Sequence, residues 1–110
     1  MAYDVELADR IRDAVEGEPG VVEKRMFGGL AFLVDGSLAV SASGRGGMLL
    51  RVRPDEPGSI ADDPRVEPFV MRGRAMAGWL HVPAEVVADD DALRRCVAEG
   101  VATARSVAGS

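Results

Sequence analysis

Apolar residues recur along this chain with two different periods, and the switch between them marks out its elements. Over residues 4–16, Leu7, Ala8, Ile11, Ala14 and Val15 return every three or four positions. That spacing predicts a helix with one apolar stripe. Asp4 stands where an N-cap belongs, with Tyr3 before it as a hydrophobic staple, and Gly17 and Pro19-Gly20 close the element. Extended runs follow at 21–27, 30–34, 37–42, 48–53, 65–72 and 79–82. Gly28-Gly29 bends the chain after the first run, Pro54 ends the fourth, and Pro68 marks the fifth as an edge strand or a bulge. A short helix is predicted around Ser59-Ile60-Ala61, and residues 73–78 read as a connection. The helical period returns at the end: Leu93, Cys96, Val97, Gly100, Val101 and Ala104 form the stripe of a helix from about 89 to 107. Gly100 and the alanines around it leave room for close approach to a sheet.

The stretch from Arg25 to Val40 organises the rest. Asp35-Gly36 between two apolar runs is the strongest short-range hairpin signal, because both central residues of a type I′ turn need positive φ. A two-residue loop there sets Val34 opposite Ser37, Leu33 opposite Leu38, Phe32 opposite Ala39 and Ala31 opposite Val40. Ala31, Leu33, Leu38 and Val40 then share one face, and Leu30, Phe32, Val34, Ala39 and Ser41 the other. Both faces are largely apolar, whereas a sheet with one wet face alternates apolar and polar residues. The ribbon is therefore expected to be covered on both sides, by its own helices on one and by a partner chain on the other. Phe27, Leu30, Phe32 and Val34 are placed in the core or at such an interface.

Length and composition add bounds. A chain of 110 residues, 47% hydrophobic and 28% charged, reads as one soluble domain over 1–110. Aromatic residues are only 5%, so the core must be built from Val, Leu, Ala and Met. No apolar run approaches the roughly 20 residues that span a bilayer, and no signal segment opens the chain. The single cysteine forms no internal disulfide, which makes a reducing cytoplasm the expected compartment.

Net charge is −5, unevenly spread. Residues 1–23 hold two basic and seven acidic side chains, residues 24–74 eight and six, and residues 75–110 three and five. An acidic chain lacks the broad basic stripe of most nucleic-acid binders. Its central, strand-rich part is nevertheless mildly basic through arginine. Arg25, Arg51, Arg53, Arg72 and Arg74 lie in predicted strands or at their ends, as candidates for contact with an anion or a partner through bidentate hydrogen bonds. Pairing with Glu23, Asp35 and Glu67 on the same sheet is the simpler account of them.

The remaining chemistry-bearing residues point to structure. Asp89-Asp90-Asp91 at a helix start satisfies orphan N–H groups and favours the positive end of the helix dipole. His81 has no Cys or carboxylate set at metal-ligand spacing, and Cys96 sits on an apolar stripe. Gly28-Gly29 and Gly44-Arg45-Gly46-Gly47 lack the spacing of a phosphate-binding loop and read as turns. No catalytic, metal or cofactor residue is assigned.

Arg25-Met26-Phe27-Gly28-Gly29, then Phe32-Leu33-Val34-Asp35-Gly36, then Met48-Leu49-Leu50-Arg51-Val52, then Phe69 before Gly73-Arg74-Ala75-Met76 together resemble the N-terminal domain of the TfoX/Sxy family. The likeness runs over roughly residues 4–107. It implies a two-layer α+β fold of order α-β-β-β-α-β-β-α, with an antiparallel sheet of about five strands and helices packed on one face. The family is named for regulators of natural competence that promote transcription of DNA-uptake genes. The chain stops at residue 110, without the second, helical domain of the full-length regulators, so a stand-alone TfoX-like protein is expected. The expected function is non-enzymatic: a cytoplasmic regulatory or protein-interaction module, homodimeric, with an unidentified protein partner and no cofactor. A direct nucleic-acid-binding regulator is the alternative, disfavoured by the negative charge, and an enzyme acting on a small anionic substrate is the third.

Overall fold

In a computed structural model, which describes residues 3–26, 28–55 and 58–108, the predicted periods become elements in chain order. Helix α1 (Val5–Ala14) is capped by Asp4, whose side chain accepts a 3.1 Å hydrogen bond from the Leu7 N–H. Strands β1 (Val21–Met26), β2 (Gly29–Val34), β3 (Ser37–Ala42) and β4 (Met48–Arg51) follow. After a single 3-10 turn (Ser59–Asp62) come β5 (Glu67–Met71) and β6 (Arg74–Val82). The chain closes with a short helix α2 (Ala84–Val87) and the long helix α3 (Asp90–Ala108). Asp89 caps α3 by accepting from the Ala92 N–H at 3.0 Å, so the aspartate run serves the helix start as predicted.

All ladders are antiparallel, and the strand order is β1-β2-β3-β4-β6-β5. The α+β class holds. The sheet has six strands instead of about five, because four strands precede the 3-10 turn. Pro68 lies on the edge strand β5 beside a register shift, where a residue without a ladder N–H is tolerated. Two elements extend beyond the sequence expectation. β6 runs back through the predicted connection to Arg74, and α2 inserts a turn of helix before α3.

The β2–β3 hairpin closes as predicted at Asp35 (φ 52°) and Gly36 (φ 86°), with Val34 opposite Ser37 and Leu33 opposite Leu38. Beyond those pairs the register shifts by one: Phe32 faces Val40 and Ala31 faces Ser41, leaving Ala39 as an unpaired extra residue. The expected pairs Phe32–Ala39 and Ala31–Val40 are therefore corrected by a β-bulge, which no alternation pattern announces. The bulge turns Val40 as well as Ala39 toward the helices, and both are fully buried in the core.

That core lies between α1 and α3 on one side and Leu30, Phe32, Val34, Val40, Ala42, Met48 and Leu50 of the sheet on the other. Leu7, Ile11, Leu93, Cys96, Val97 and Ala104 carry the helical stripes into it. Gly100 lets α3 approach β3: a Cβ at this position would stand 2.5 Å from the Ala39 carbonyl oxygen. Of the two placements expected for Leu30, Phe32 and Val34, the structure gives the core, at 7%, 0% and 0% exposure. Phe27 lies outside the described residues.

Among the described residues the opposite face of the sheet carries no helix, yet Ala31, Leu38, Ser41 and Leu49 are buried there within one chain. The sheet curls over them. Met26 of β1 and Phe69 of β5, on strands at its two edges, line the same cavity of about 200 Å³ with Ser41 and Leu49. Strand twist and small side chains thus provide cover that the apolar pattern had suggested must come from outside.

Candidate functional site

Three surfaces of this frame carry the unusual side chains, and the five predicted arginines are distributed among them instead of converging. Arg25 is exposed on β1, at one edge of the sheet. Arg51 stacks its guanidinium over the Trp79 ring at 5.2 Å from the centroid, a contact set by the Arg51–Trp79 pairing of β4 with β6. Arg53 lies 3.7 Å from Asp55. Arg72 and Arg74 occupy the turn between β5 and β6, at the other edge, with no ion pair among the described residues. None of the five pairs with Glu23, Asp35 or Glu67.

The β5–β6 hairpin is the first surface. Arg72 (φ 55°) and Gly73 (φ 77°) give it a tight two-residue turn joining Met71 to Arg74. The ladder to β4 covers only Trp79–Val82, so the hairpin end from Val70 to Ala77 lies past it. Val70 is 47% and Met76 38% exposed, with Ala75 and Ala77 also open to solvent. Strand alternation sets Arg74 and Met76 on one face of this ribbon and Val70 and Ala75 on the other. The segment contains two basic residues and no acidic one.

The second surface is a groove of about 560 Å³ between the end of α1 and β1, lined by Arg12, Asp13, Val15, Glu16, Val21 and Glu23. Val15 is buried and Val21 half-buried. Arg12 donates to both oxygens of Glu23, at 2.6 and 2.8 Å, and also pairs with Asp9. This fork holds the Glu23 carboxyl below the usual range, chiefly through hydrogen bonding, and raises Arg12 further. Asp13 and Glu16 make no ion pair among the described residues. With Arg12 neutralised twice over, the rim is acidic. Nothing in the sequence marked this groove, because Arg12 and Glu23 are joined only once β1 returns beside α1.

The third is the cavity under the curled sheet, with Met26, Leu49 and Phe69 as apolar walls and Ser41, Ser43, Gly44 and Arg45 at its lip. Its hydroxyls are committed: Ser41 donates to the Leu30 carbonyl at 3.0 Å, and Ser43 accepts from the Arg45 N–H at 3.1 Å. His81 places Nε2 2.9 Å from the Gly46 carbonyl oxygen, which ties the 43–47 loop to β6. Cys96 is buried on α3, and desolvation pushes its thiol up to about 11. Among the described residues no cluster of three or more potential metal ligands occurs, and no helix is long and apolar enough to cross a membrane.

Comparison with curated proteins and with solved structures gives no match. The family model of the TfoX N-terminal domain matches residues 13–104, from within α1 to the last turns of α3. Those residues comprise all six strands and most of the core packed on them, so this chain belongs to the TfoX N-terminal domain family.

Proposed function

We propose that the protein is a regulatory module of the competence-related type that works by protein–protein contact as a homodimer in the cytoplasm, without chemistry of its own. The observation that carries this reading is the β5–β6 hairpin end, where Val70 and Met76 stand in solvent beside two arginines that make no ion pair among the described residues. A projecting strand pair with apolar side chains is a ready site for association, and natural proteins usually blunt or occupy one. The family assignment supports a regulatory setting. Light scattering across a concentration series tests the dimer. Twice the 11.6 kDa chain mass is expected, and a constant 11.6 kDa at high concentration overturns it.

A nucleic-acid contact is the second reading, favoured by the same ribbon because it holds Arg72 and Arg74 and no carboxylate. Its test is affinity for duplex DNA against salt, which must rise steeply as salt is lowered.

A further inference from the structure

The hairpin end is basic and the rim of the α1–β1 groove acidic, and the two sit toward opposite edges of one sheet. The first is a narrow convex element bearing Arg72 and Arg74 around Met76 and Val70. The second is a groove with Val15 and Val21 along its floor and, at Asp13 and Glu16, carboxylates that make no ion pair among the described residues. We propose that the hairpin end of one copy docks in the α1–β1 groove of a second copy. This rests on the homodimer reading above and names the surfaces that make the dimer.

Charge selects the occupant. The hairpin end holds two of the thirteen basic side chains and none of the eighteen acidic ones, so the rest of the molecule is more acidic than the whole. Such a body repels a polyanion and attracts the hairpin of its own kind. The groove has room for an arginine and a neighbouring methionine, and the half-buried Val21 offers apolar surface to the methionine stem. Arg12 does not oppose the incoming arginines, because Glu23 and Asp9 already hold it.

One hairpin end is small against the roughly 800 Å² per partner of a standard stable interface. The sheet curls enough for Met26 of β1 and Phe69 of β5 to line one cavity, and in this arrangement each copy turns both edges to its partner, so the contact is made twice about a two-fold axis.

Charge reversal tests the pairing. Arg72→Glu with Arg74→Glu on one chain, and Asp13→Arg with Glu16→Arg on another, change only exposed side chains outside the core. Each double variant alone is expected to dissociate at least tenfold more readily than wild type in light scattering. Mixing the two is expected to restore a mixed species, seen by native mass spectrometry. Circular dichroism melts check that both variants fold. A wild-type dimer unaffected by either double variant overturns the hairpin–groove contact and leaves the homodimer standing. Loss of the dimer in both without recovery on mixing also overturns it. A wild type that stays monomeric overturns the homodimer itself, and salt-sensitive binding of that monomer to duplex DNA that is lost in Arg72→Glu with Arg74→Glu gives the hairpin to nucleic acid.

Discussion

Gly100 on α3 lies against Ala39 on β3 so closely that an added Cβ would meet the Ala39 carbonyl oxygen at 2.5 Å and the Val40 Cγ1 at 2.8 Å. The nearest obstacle is backbone, which cannot swing aside as a flexible side chain would.

Gly100→Ala is therefore expected to destabilise the protein, although alanine is the better helix former. Helix propensity favours the change by about 1 kcal/mol, whereas overpacking a helix–sheet contact costs about 1–3 kcal/mol. A lower urea midpoint with an unchanged slope is the expected result. A raised midpoint shows that α3 can shift off the sheet.

The Asp35-Gly36 turn separates conformation from chemistry. Both residues have positive φ, at 52° and 86°. Asp35→Asn keeps a residue that tolerates this region and is expected to be neutral within about 0.5 kcal/mol. Gly36→Val forces a β-branched residue into it and is expected to cost about 1–3 kcal/mol. Thermal melts of the two variants check the contrast, which equal melting temperatures would refute.

Cys96 is expected to be inert in the native protein. Its thiol is buried among α3 and sheet residues, with an ionisation raised to about 11, so little thiolate exists near neutrality. Ellman's reagent should titrate one thiol per chain in denaturant and react with the native protein only as fast as it opens. Rapid native labelling would contradict the packing of α3.

Like Glu23, which is paired with Arg12, Asp63 should contribute to acid sensitivity. Its carboxylate accepts from the Arg65 backbone N–H at 2.9 Å and from the guanidinium at 3.1 and 2.9 Å, which lowers it from 3.8 to about 2. The folded state binds this proton less readily than the unfolded chain. The stabilisation is thus complete above about pH 4 and is lost as pH falls toward 2. Asp63→Asn should lower the melting temperature at neutral pH, and its gap from wild type should close near pH 2. A gap independent of pH would show that Asp63 acts without its charge.

Local pattern carried much of this fold. The stripes of α1 and α3, the Asp4 cap, the Asp35-Gly36 turn, the edge position of Pro68 and the closeness allowed by Gly100 all follow from residue type and spacing. What escaped depends on pairing between distant segments. Trp79 and Arg51 meet only through the β4–β6 register, and Arg12 finds Glu23 only when β1 returns beside α1. Residues 73–78 looked like a connection because glycine and alanine dominate them, yet five of the six lie in β6, and Gly78 is one of them. The arginines were read as one set because they share a type, while the strand order puts Arg25 and Arg74 at opposite edges.

The unpaired Ala39 has a consequence for how this hairpin can change. Removing that single amino acid would restore strict alternation while leaving Val40 opposite Phe32 and against the helices, with Ser41 and Ala42 keeping their sides. Replacing it with another small residue leaves all of them where they are. The strand can therefore shed this residue without exchanging its faces, whereas straightening the ladder with Ala39 kept would turn Val40 away from α3.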